Sequence, residues 1–160
     1  MAPYAHMIRS LVGSRCIFVP GVRALIINDF GEVLLQRRSD TGCWGLPGGA
    51  VELGETVLEA LRREVHEETS LRVLSAEPMG LYTGPQQRFA YPNGDEVQCF
   101  AVAFIVSQWE GSPRPDGTEG TDLCFWPRTG LPDNLVPNHA ETLADLERYR
   151  GPVPYTHLSH

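Results

Sequence analysis

The segment from Thr56 to Thr69 constrains the fold most, because it combines a helical apolar repeat with a helix start signal. At about 100° per residue, four apolar side chains of this segment fall within one arc, which predicts the face that meets the core. They are Val57, Leu58, Leu61 and Val65. Thr56 followed by Glu59 matches the capping-box pattern, so we predict that the helix begins there.

Three glutamates occupy a second arc of this predicted helix, and that arc borders the core face. Glu64, Glu67 and Glu68 are spaced i, i+3 and i+4, so their carboxylates are neighbours that repel one another. Such crowding raises the pKa of at least one carboxyl group and destabilises the helix unless a cation balances it. The pattern fits an all-oxygen site for Mg²⁺ or Mn²⁺, and it also fits an acidic edge exposed to water.

The sequence on either side of this helix predicts a mixed α and β domain. Residues 22–29 and 32–39 are apolar at successive positions and flank the turn residues Asp29 and Gly31, which predicts a hairpin buried on both faces. The glycine-rich segment 40–55 predicts a loop whose backbone approaches another group closely. The remaining predicted elements are strands within 71–84, 96–109 and 122–127 and a C-terminal helix from Asn138 to Arg150.

Length and charge narrow the class of protein. The 160 residues fit a single domain over 1–160, with an N-terminal extension at 1–15 and a loose tail at 151–160. The formal net charge of −7 argues against a general surface for nucleic-acid polymers. All 13 basic residues are arginine, whose forked donors suit phosphate oxygens.

Two further features bear on the compartment. Apolar runs such as residues 101–106 are too short to span a membrane, and the N-terminus has no signal-like arrangement, so we expect a cytoplasmic protein without a membrane partner. The cysteines show no zinc-ligand or redox spacing, so we expect buried, reduced thiols. They are Cys16, Cys43, Cys99 and Cys124.

The loop and the helix together match a longer pattern. Gly49 is followed after five residues by Glu55, and after seven more by the run from Arg63 to Leu71. This arrangement resembles the Nudix box, the 23-residue signature of the Nudix hydrolases, with eight of nine defined positions in register. Ser70 is the one departure, at the helix exit where glycine takes a positive φ without penalty. The flanking runs "LLQRR" and "WGLPGG" are also typical of the family.

The resemblance implies an α/β fold, namely a Nudix-type α/β/α sandwich with a mixed β-sheet and a loop–helix–loop catalytic box. It implies metal-dependent hydrolysis of a pyrophosphate bond in a nucleoside diphosphate-linked substrate, with Mg²⁺ or alternatively Mn²⁺. The implied metal ligands are the Gly48 carbonyl, Glu64, Glu67 and Glu68. Glu64 is either a ligand or the general base, whereas Glu55 and Arg63 form a supporting pair that fixes the loop against the helix. Family analogy also implies a homodimer.

The residues suit this chemistry, because water attacking a polyanionic pyrophosphate must overcome charge repulsion. Family members differ in which carboxylate accepts the proton of that water, so Glu119 in the loop "DGTEGTD" is a second candidate base. Glu119 is equally well read as a solvated loop acid. Arg38 lies at the end of a buried strand. Its side chain either contacts a phosphate or a nucleobase of the substrate, or it reaches solvent. Trp44 and Tyr91 either stack on a nucleobase or serve as packing residues.

Three classes of function compete for this pattern. The complete set of Glu64, Glu67 and Glu68 favours an active enzyme over a catalytically inactive Nudix-fold module that binds nucleotides or regulates. A structural protein with an acidic surface helix would not explain a glycine-rich loop in register with the helix. The substrate stays open among nucleoside di- and triphosphates, ADP-ribose and other nucleotide sugars. Pro85 lies near, but not at, the position associated with ADP-ribose pyrophosphatases.

Overall fold

A computed structural model describes residues 3–151 and 155–156 of the chain. Within these ranges the helices are α1 (Pro3–Val12), α2 (Val57–Thr69) and α3 (Pro137–Leu146). The strands are β1 (Ile17–Ile26), β2 (Val33–Arg38), β3 (Trp44–Gly45), β4 (Arg72–Tyr82), β5 (Arg88–Ala90), β6 (Glu96–Glu110), β7 (Gly120–Trp126) and β8 (Tyr155–Thr156). Short 3₁₀ turns span Pro85–Gln87 and Arg128–Gly130.

The strands form two sheets. In the five-stranded mixed sheet, β6 pairs with β1 in parallel and with β4 and β5 in antiparallel fashion, and β8 lies parallel to β4. The second sheet is antiparallel and has the order β3-β2-β7. The long strand β6 therefore organises one sheet, and β2 is the centre of the other.

Helices cover the mixed sheet on both faces. On one face α2 packs Ala60, Leu61 and Val65 into a core cluster that includes Ala24 of β1. On the other face α3 contributes to a second cluster that includes Leu25, the next residue of the same strand. Because successive residues of a strand point to opposite faces, this packing buries β1 on both sides. The predicted α/β/α sandwich is confirmed.

The predicted hairpin between residues 22–29 and 32–39 is wrong beyond its turn. A single bridge joins Ile27 to Val33, and then the two strands diverge into different sheets. The reason lies in the free edge of β1, which binds the glycine-rich loop instead of β2. Val22 N donates to Gly49 O at 2.9 Å, and Ala24 N donates to the carbonyl of Pro47 at 2.8 Å. This pairing places the loop directly beside α2.

The predicted capping box at the start of α2 is confirmed. The Thr56 side chain accepts a hydrogen bond from Glu59 N, and the Glu59 carboxylate accepts one from Thr56 N. The prediction that Val57 lies on the core face is wrong, because this first residue of α2 is 40% exposed. At the other end, Ser70 adopts the left-handed conformation with φ of 61°, as predicted for the helix exit.

The chain ends differ from their predictions. The N-terminal extension at 1–15 contains α1, which contacts β1. The C-terminal helix ends at Leu146 instead of Arg150, because Arg148 N and Tyr149 N both donate to Asp145 O and close a turn. Most of the predicted loose tail at 151–160 lies outside the described residues; β8 within it pairs with β4.

The cysteines are free thiols, but the prediction that they are buried is wrong, because Cys43 and Cys99 are only half-buried and the other two are exposed. Cys16 precedes β1 and is exposed, and Cys124 is exposed on β7, an edge strand of the three-stranded sheet. No helix within the described part of the chain has the length and apolar character needed to cross a membrane.

Candidate active site

The glycine-rich loop brings bare backbone against β1 and α2. Gly48 has φ of 143°, and a Cβ atom there would lie 2.2 Å from the carbonyl oxygen of Val22. A Cβ atom on Gly49 would lie 2.5 Å from Oε1 of Glu64. Close approach to the backbone of β1 thus requires glycine at position 48, whereas a side chain at position 49 would have to displace the Glu64 carboxylate.

Glu68 is buried beneath this loop. The residue is only 4% exposed, and its carboxylate oxygen Oε2 accepts a hydrogen bond from Gly48 N at 2.7 Å. Burial raises the pKa of Glu68 to about 8, although the Gly48 bond acts in the opposite direction. The negative charges of Glu64 and Glu119 add to the rise. A group that neutralises this carboxylate would therefore stabilise the site.

Glu64 and Glu67 differ in their exposure. Glu64 is 8% exposed, and burial raises its pKa in spite of a hydrogen bond from Arg63 Nη1 at 2.8 Å. The side chain of Glu67 is 58% exposed and accepts from the same Nη1 atom at 3.1 Å. The structure thus brings Glu64 and Glu68 together at the loop, with Glu67 at the solvent edge.

Arg63 pairs with Glu55 as the resemblance implies, and it also forms hydrogen bonds with other residues of the loop and of α2. Its Nε and Nη2 atoms donate to the two Glu55 oxygens at 2.7 and 2.9 Å. Hydrogen bonds from Arg63 hold the pKa of Glu55 at about 2. Nη2 also donates to the carbonyl of Ala50 at 3.0 Å. Arg63 therefore braces the loop on one side and contacts two expected metal ligands, Glu64 and Glu67, on the other.

The donor set can be tested against a divalent cation. Within the described residues, no three His, Cys, Asp or Glu side chains already stand together as a metal-binding group. Glu67 is turned to Arg63, and Glu68 is turned to Gly48 N. The donors are nevertheless all hard oxygens, and two of the carboxylates are buried with raised pKa values. Gly48, Glu64, Glu67 and Glu68 fit a hard divalent cation, provided that Glu67 exchanges Arg63 for the ion.

Glu119 lies in the loop between β6 and β7, close enough to this acidic group for its charge to act on it. After burial, its charge is among the causes that raise the pKa values of both Glu64 and Glu68. Its backbone is held by two bonds, from Glu119 N to Asp116 Oδ2 and from Ser39 N to Glu119 O. A residue 51 positions beyond Glu68 in the sequence is thereby brought to the same site.

Arg38 ends β2 on the side of the carboxylates. Its guanidinium donates to both oxygens of Asp40, at 2.9 and 2.7 Å. It also lies over the rings of Phe89 and Tyr91, 6.0 Å from each centroid. Burial acts to lower the pKa of Arg38, but Asp40 and, to a smaller extent, the charge of Glu68 raise it above its usual value. Arg38 thus stands between the acidic group and an aromatic pair.

The two aromatic candidates have different surroundings. Tyr91 packs edge-to-face on Phe89, with ring centroids 4.9 Å apart, and lies beneath Arg38. Trp44 packs edge-to-face on Trp126 at 5.5 Å and lies against the core cluster that contains α3. The geometry therefore favours Tyr91 for contact with a nucleobase and the packing role for Trp44.

A buried polar network next to the site was missed by the sequence reasoning. Arg23 of β1 is 3% exposed and donates to Asn138 O, Thr142 Oγ1 and Gln87 Oε1. The neighbouring His139 accepts from Leu46 N through Nδ1 at 2.9 Å, which ties α3 to the glycine-rich loop. The one available signal was an arginine inside the apolar run "VRALII".

Comparisons with known proteins agree with this geometry. The family model of the NUDIX domain matches residues 17–146. An ADP-ribose pyrophosphatase from Methanocaldococcus jannaschii is 32% identical over 129 residues, which cover 79% of this chain and 72% of that protein. An 8-oxo-dGTP diphosphatase from Haemophilus influenzae is 34% identical over 107 residues, which cover 64% of this chain and 70% of that protein.

The fold comparison points the same way. The crystal structure of a MutT NUDIX hydrolase from Burkholderia pseudomallei has a TM-score of 0.68 and 27% identity to this chain. The match covers 79% of this chain and 96% of that one. The family model spans α2, the glycine-rich loop, the end of β2 and the loop that carries Glu119. The chain therefore belongs to the Nudix family.

Proposed function

We propose that this Nudix hydrolase cleaves a pyrophosphate bond in a nucleoside diphosphate-linked substrate with the help of Mg²⁺, or alternatively Mn²⁺. The observation that carries the proposal is the burial of Glu64 and Glu68 against the bare backbone of Gly48 and Gly49. Burying two carboxylates side by side is unfavourable unless a cation binds them. A hard divalent cation with phosphate ligands suits these oxygens.

The reaction forms a bond between a water oxygen and phosphorus and breaks a bridging P–O bond. The bound metal would neutralise phosphate oxygens and lower the pKa of the attacking water. Glu64 or Glu119 accepts the proton of that water, and the leaving phosphate departs with the electron pair of the broken bond. A well-placed general base contributes about 10²–10⁴ in rate. Arg63, held by Glu55, keeps the Glu64 carboxylate in place.

Arg38 is proposed to bind the substrate. Its present partner Asp40 is only two residues away and is partly exposed, so a phosphate can replace that carboxylate without opening the core. Tyr91 and Phe89 offer an aromatic surface next to the guanidinium on which a base can stack. The pair of a cation and an aromatic face fits the phosphate and the base of one nucleotide.

The two relatives named above act, by their descriptions, on ADP-ribose and on 8-oxo-dGTP. These molecules share a nucleoside joined to a pyrophosphate linkage. This shared unit supports a small-molecule nucleotide as the substrate class. The group attached to the far side of the pyrophosphate is to be identified by experiment. The homodimer stays a prediction from the family resemblance.

A nucleotide panel tests the proposal. The wild-type chain is incubated with nucleoside di- and triphosphates, ADP-ribose and other nucleotide sugars, with Mg²⁺ or Mn²⁺, and the products are separated by chromatography. We expect hydrolysis of at least one compound, with a roughly 10- to 100-fold or greater loss in E67Q. The matched control is E59Q, which removes a charge from the exposed side of α2 and keeps a capping-box residue. Unchanged activity in E67Q would contradict the assignment, and binding without turnover would support the inactive module instead.

A further inference from the structure

We propose that Asp116 is a positioning residue, whose carboxylate shapes the loop between β6 and β7 so that Glu119 is presented to the carboxylates of α2. This inference rests on the proposed function and, of the two candidate bases named there, takes Glu119 and not Glu64 as the general base of the hydrolysis. It adds a residue that does not touch substrate and acts through Glu119.

The carboxylate of Asp116 binds two successive backbone N–H groups. Glu119 N donates to Oδ2 at 3.0 Å, and Gly120 N donates to Oδ1 at 2.9 Å. Gly117 N also donates to Gly120 O at 3.1 Å, which closes the turn. Burial acts to raise the pKa of Asp116, but the backbone donors hold it below its usual value, so both oxygens accept at neutral pH.

The same loop is fixed to both elements that flank the site. Arg114 N donates to the carbonyl of Thr69 at 2.9 Å, one residue after Glu68 at the end of α2. On the other side, Ser39, which directly follows β2, donates two hydrogen bonds to carbonyl groups of the loop. Ser39 N donates to Glu119 O at 2.9 Å, and Ser39 Oγ donates to Thr118 O at 2.7 Å. The loop therefore bridges α2 and β2, and Asp116 sets its shape between these attachments.

An irregularity at the start of β7 completes the arrangement. The pairing of β2 with β7 shifts between Arg37 and Arg38, and Gly120 pairs with Arg38. Such bulges redirect the side chains next to them. A Cβ atom on Gly120 would lie 2.3 Å from Nε2 of Gln36, so a larger residue at this point would have to displace the Gln36 side chain. The backbone at Glu119 is thus held by contacts on both of its sides.

An amide cannot replace the carboxylate of Asp116. Asparagine has one acceptor oxygen, and its NH₂ group would face a backbone N–H. D116N therefore keeps the size of the side chain and loses one of the two bonds. We expect kcat to fall roughly tenfold in D116N, which is a smaller loss than the about 10²–10⁴-fold expected for E119Q, with KM little changed. The matched control is D122N, which removes an exposed carboxylate from β7.

The double variant D116N/E119Q separates positioning from a general structural effect. If Asp116 acts through Glu119, the double variant is no slower than E119Q, because there is no base left to misplace. S39A, which loses only the bond to Thr118 O, should likewise slow the wild type and have no effect in E119Q. Thermal unfolding of each variant, followed by circular dichroism, verifies that the fold is retained.

Several outcomes would overturn the inference. Losses that multiply in the double variant, or a D116N rate equal to that of D122N, would show that Asp116 does not act through Glu119. If D116N unfolds, equal losses for S39A in the wild-type and E119Q backgrounds overturn it. An inactive wild type overturns the proposed function as well. Full activity of E119Q and D116N beside an impaired E67Q overturns this inference alone.

Discussion

Ser70 ends α2 in a conformation that few residues with a side chain adopt. Among the described residues it is the one non-glycine with positive φ, at 61°. Its N–H bonds to the carbonyl of His66 at 2.9 Å, so the helix end is closed correctly in spite of the serine. The departure from the Nudix box therefore changes the strain at the exit and leaves the carboxylates before it in place.

S70G should stabilise the protein. Relief of the left-handed strain contributes about 1 kcal/mol, partly offset by the greater freedom of glycine in the unfolded chain. We expect the free energy of unfolding, measured by urea denaturation, to rise by about 0.5–1 kcal/mol with hydrolysis unchanged. The control S107G, in the exposed part of β6, should lower stability. Destabilisation by S70G would show that the serine side chain is needed at this cap.

Arg38 gives a second prediction at the scale of one residue. Losing a hydrogen bond to a charged group costs about 1.5–3 kcal/mol, so R38A should raise KM roughly 10- to 100-fold and change kcat less. The neighbouring Arg37 is exposed and donates to the carbonyl of Gly42, which makes R37A a matched control. Steady-state kinetics on the best substrate of the panel distinguish the two variants. Equal KM values for R38A and R37A would remove Arg38 from the binding site.

At the scale of elements, the contact between α2 and the glycine-rich loop buries a carboxyl group whose ionised form is unfavourable there. Glu68 is buried in this contact with a pKa of about 8, against an ordinary value of 4.5. Between these values the folded chain holds the Glu68 proton more tightly than the unfolded chain does. The metal-free protein should therefore become less stable as the pH rises through this window.

Thermal unfolding at several pH values between 5 and 8 tests this linkage. For the metal-free wild type we expect stability to fall with a slope of at most about 1.4 kcal/mol per pH unit from Glu68. E68Q should lack that contribution, whereas E59Q should keep it. Saturating Mg²⁺ should flatten the wild-type curve, because the ion binds the ionised carboxylate of the folded chain. Parallel curves for wild type and E68Q would contradict the burial of an ionisable group at this contact.

Elements with strong local signals were predictable. The Thr56–Glu59 capping box and the apolar arc placed α2 correctly, and the positive φ of Ser70 followed from the position of glycine in the Nudix box. The strand pairing was not predictable in the same way. Residues 22–29 read as a strand buried on both faces, but no local pattern indicates that β1 pairs with β6 and with the loop at 47–51 instead of β2.

At the scale of the whole molecule, the site is assembled from segments that are far apart in the chain. The loop and α2 are contiguous, so the resemblance to the Nudix box could associate Gly48 with Glu64 and Glu68. Glu119 could be named from its loop but not located, because its direction depends on Asp116 and on Ser39 of another strand end. Contacts between residues so far apart in the chain leave no periodic pattern in the sequence from which they could be predicted.

In the proposed reaction, the buried carboxylates of α2 hold the divalent cation that the hydrolysis requires. The most direct test is a Mg²⁺ titration of initial hydrolysis rates for wild type and E68Q, on the best substrate of the panel and with EDTA as the zero-metal point. We predict a wild-type rate that rises to saturation and a loss of at least about 100-fold in E68Q that added Mg²⁺ does not restore. A wild-type rate that persists in EDTA, or an E68Q titration that coincides with that of the wild type, would contradict the account.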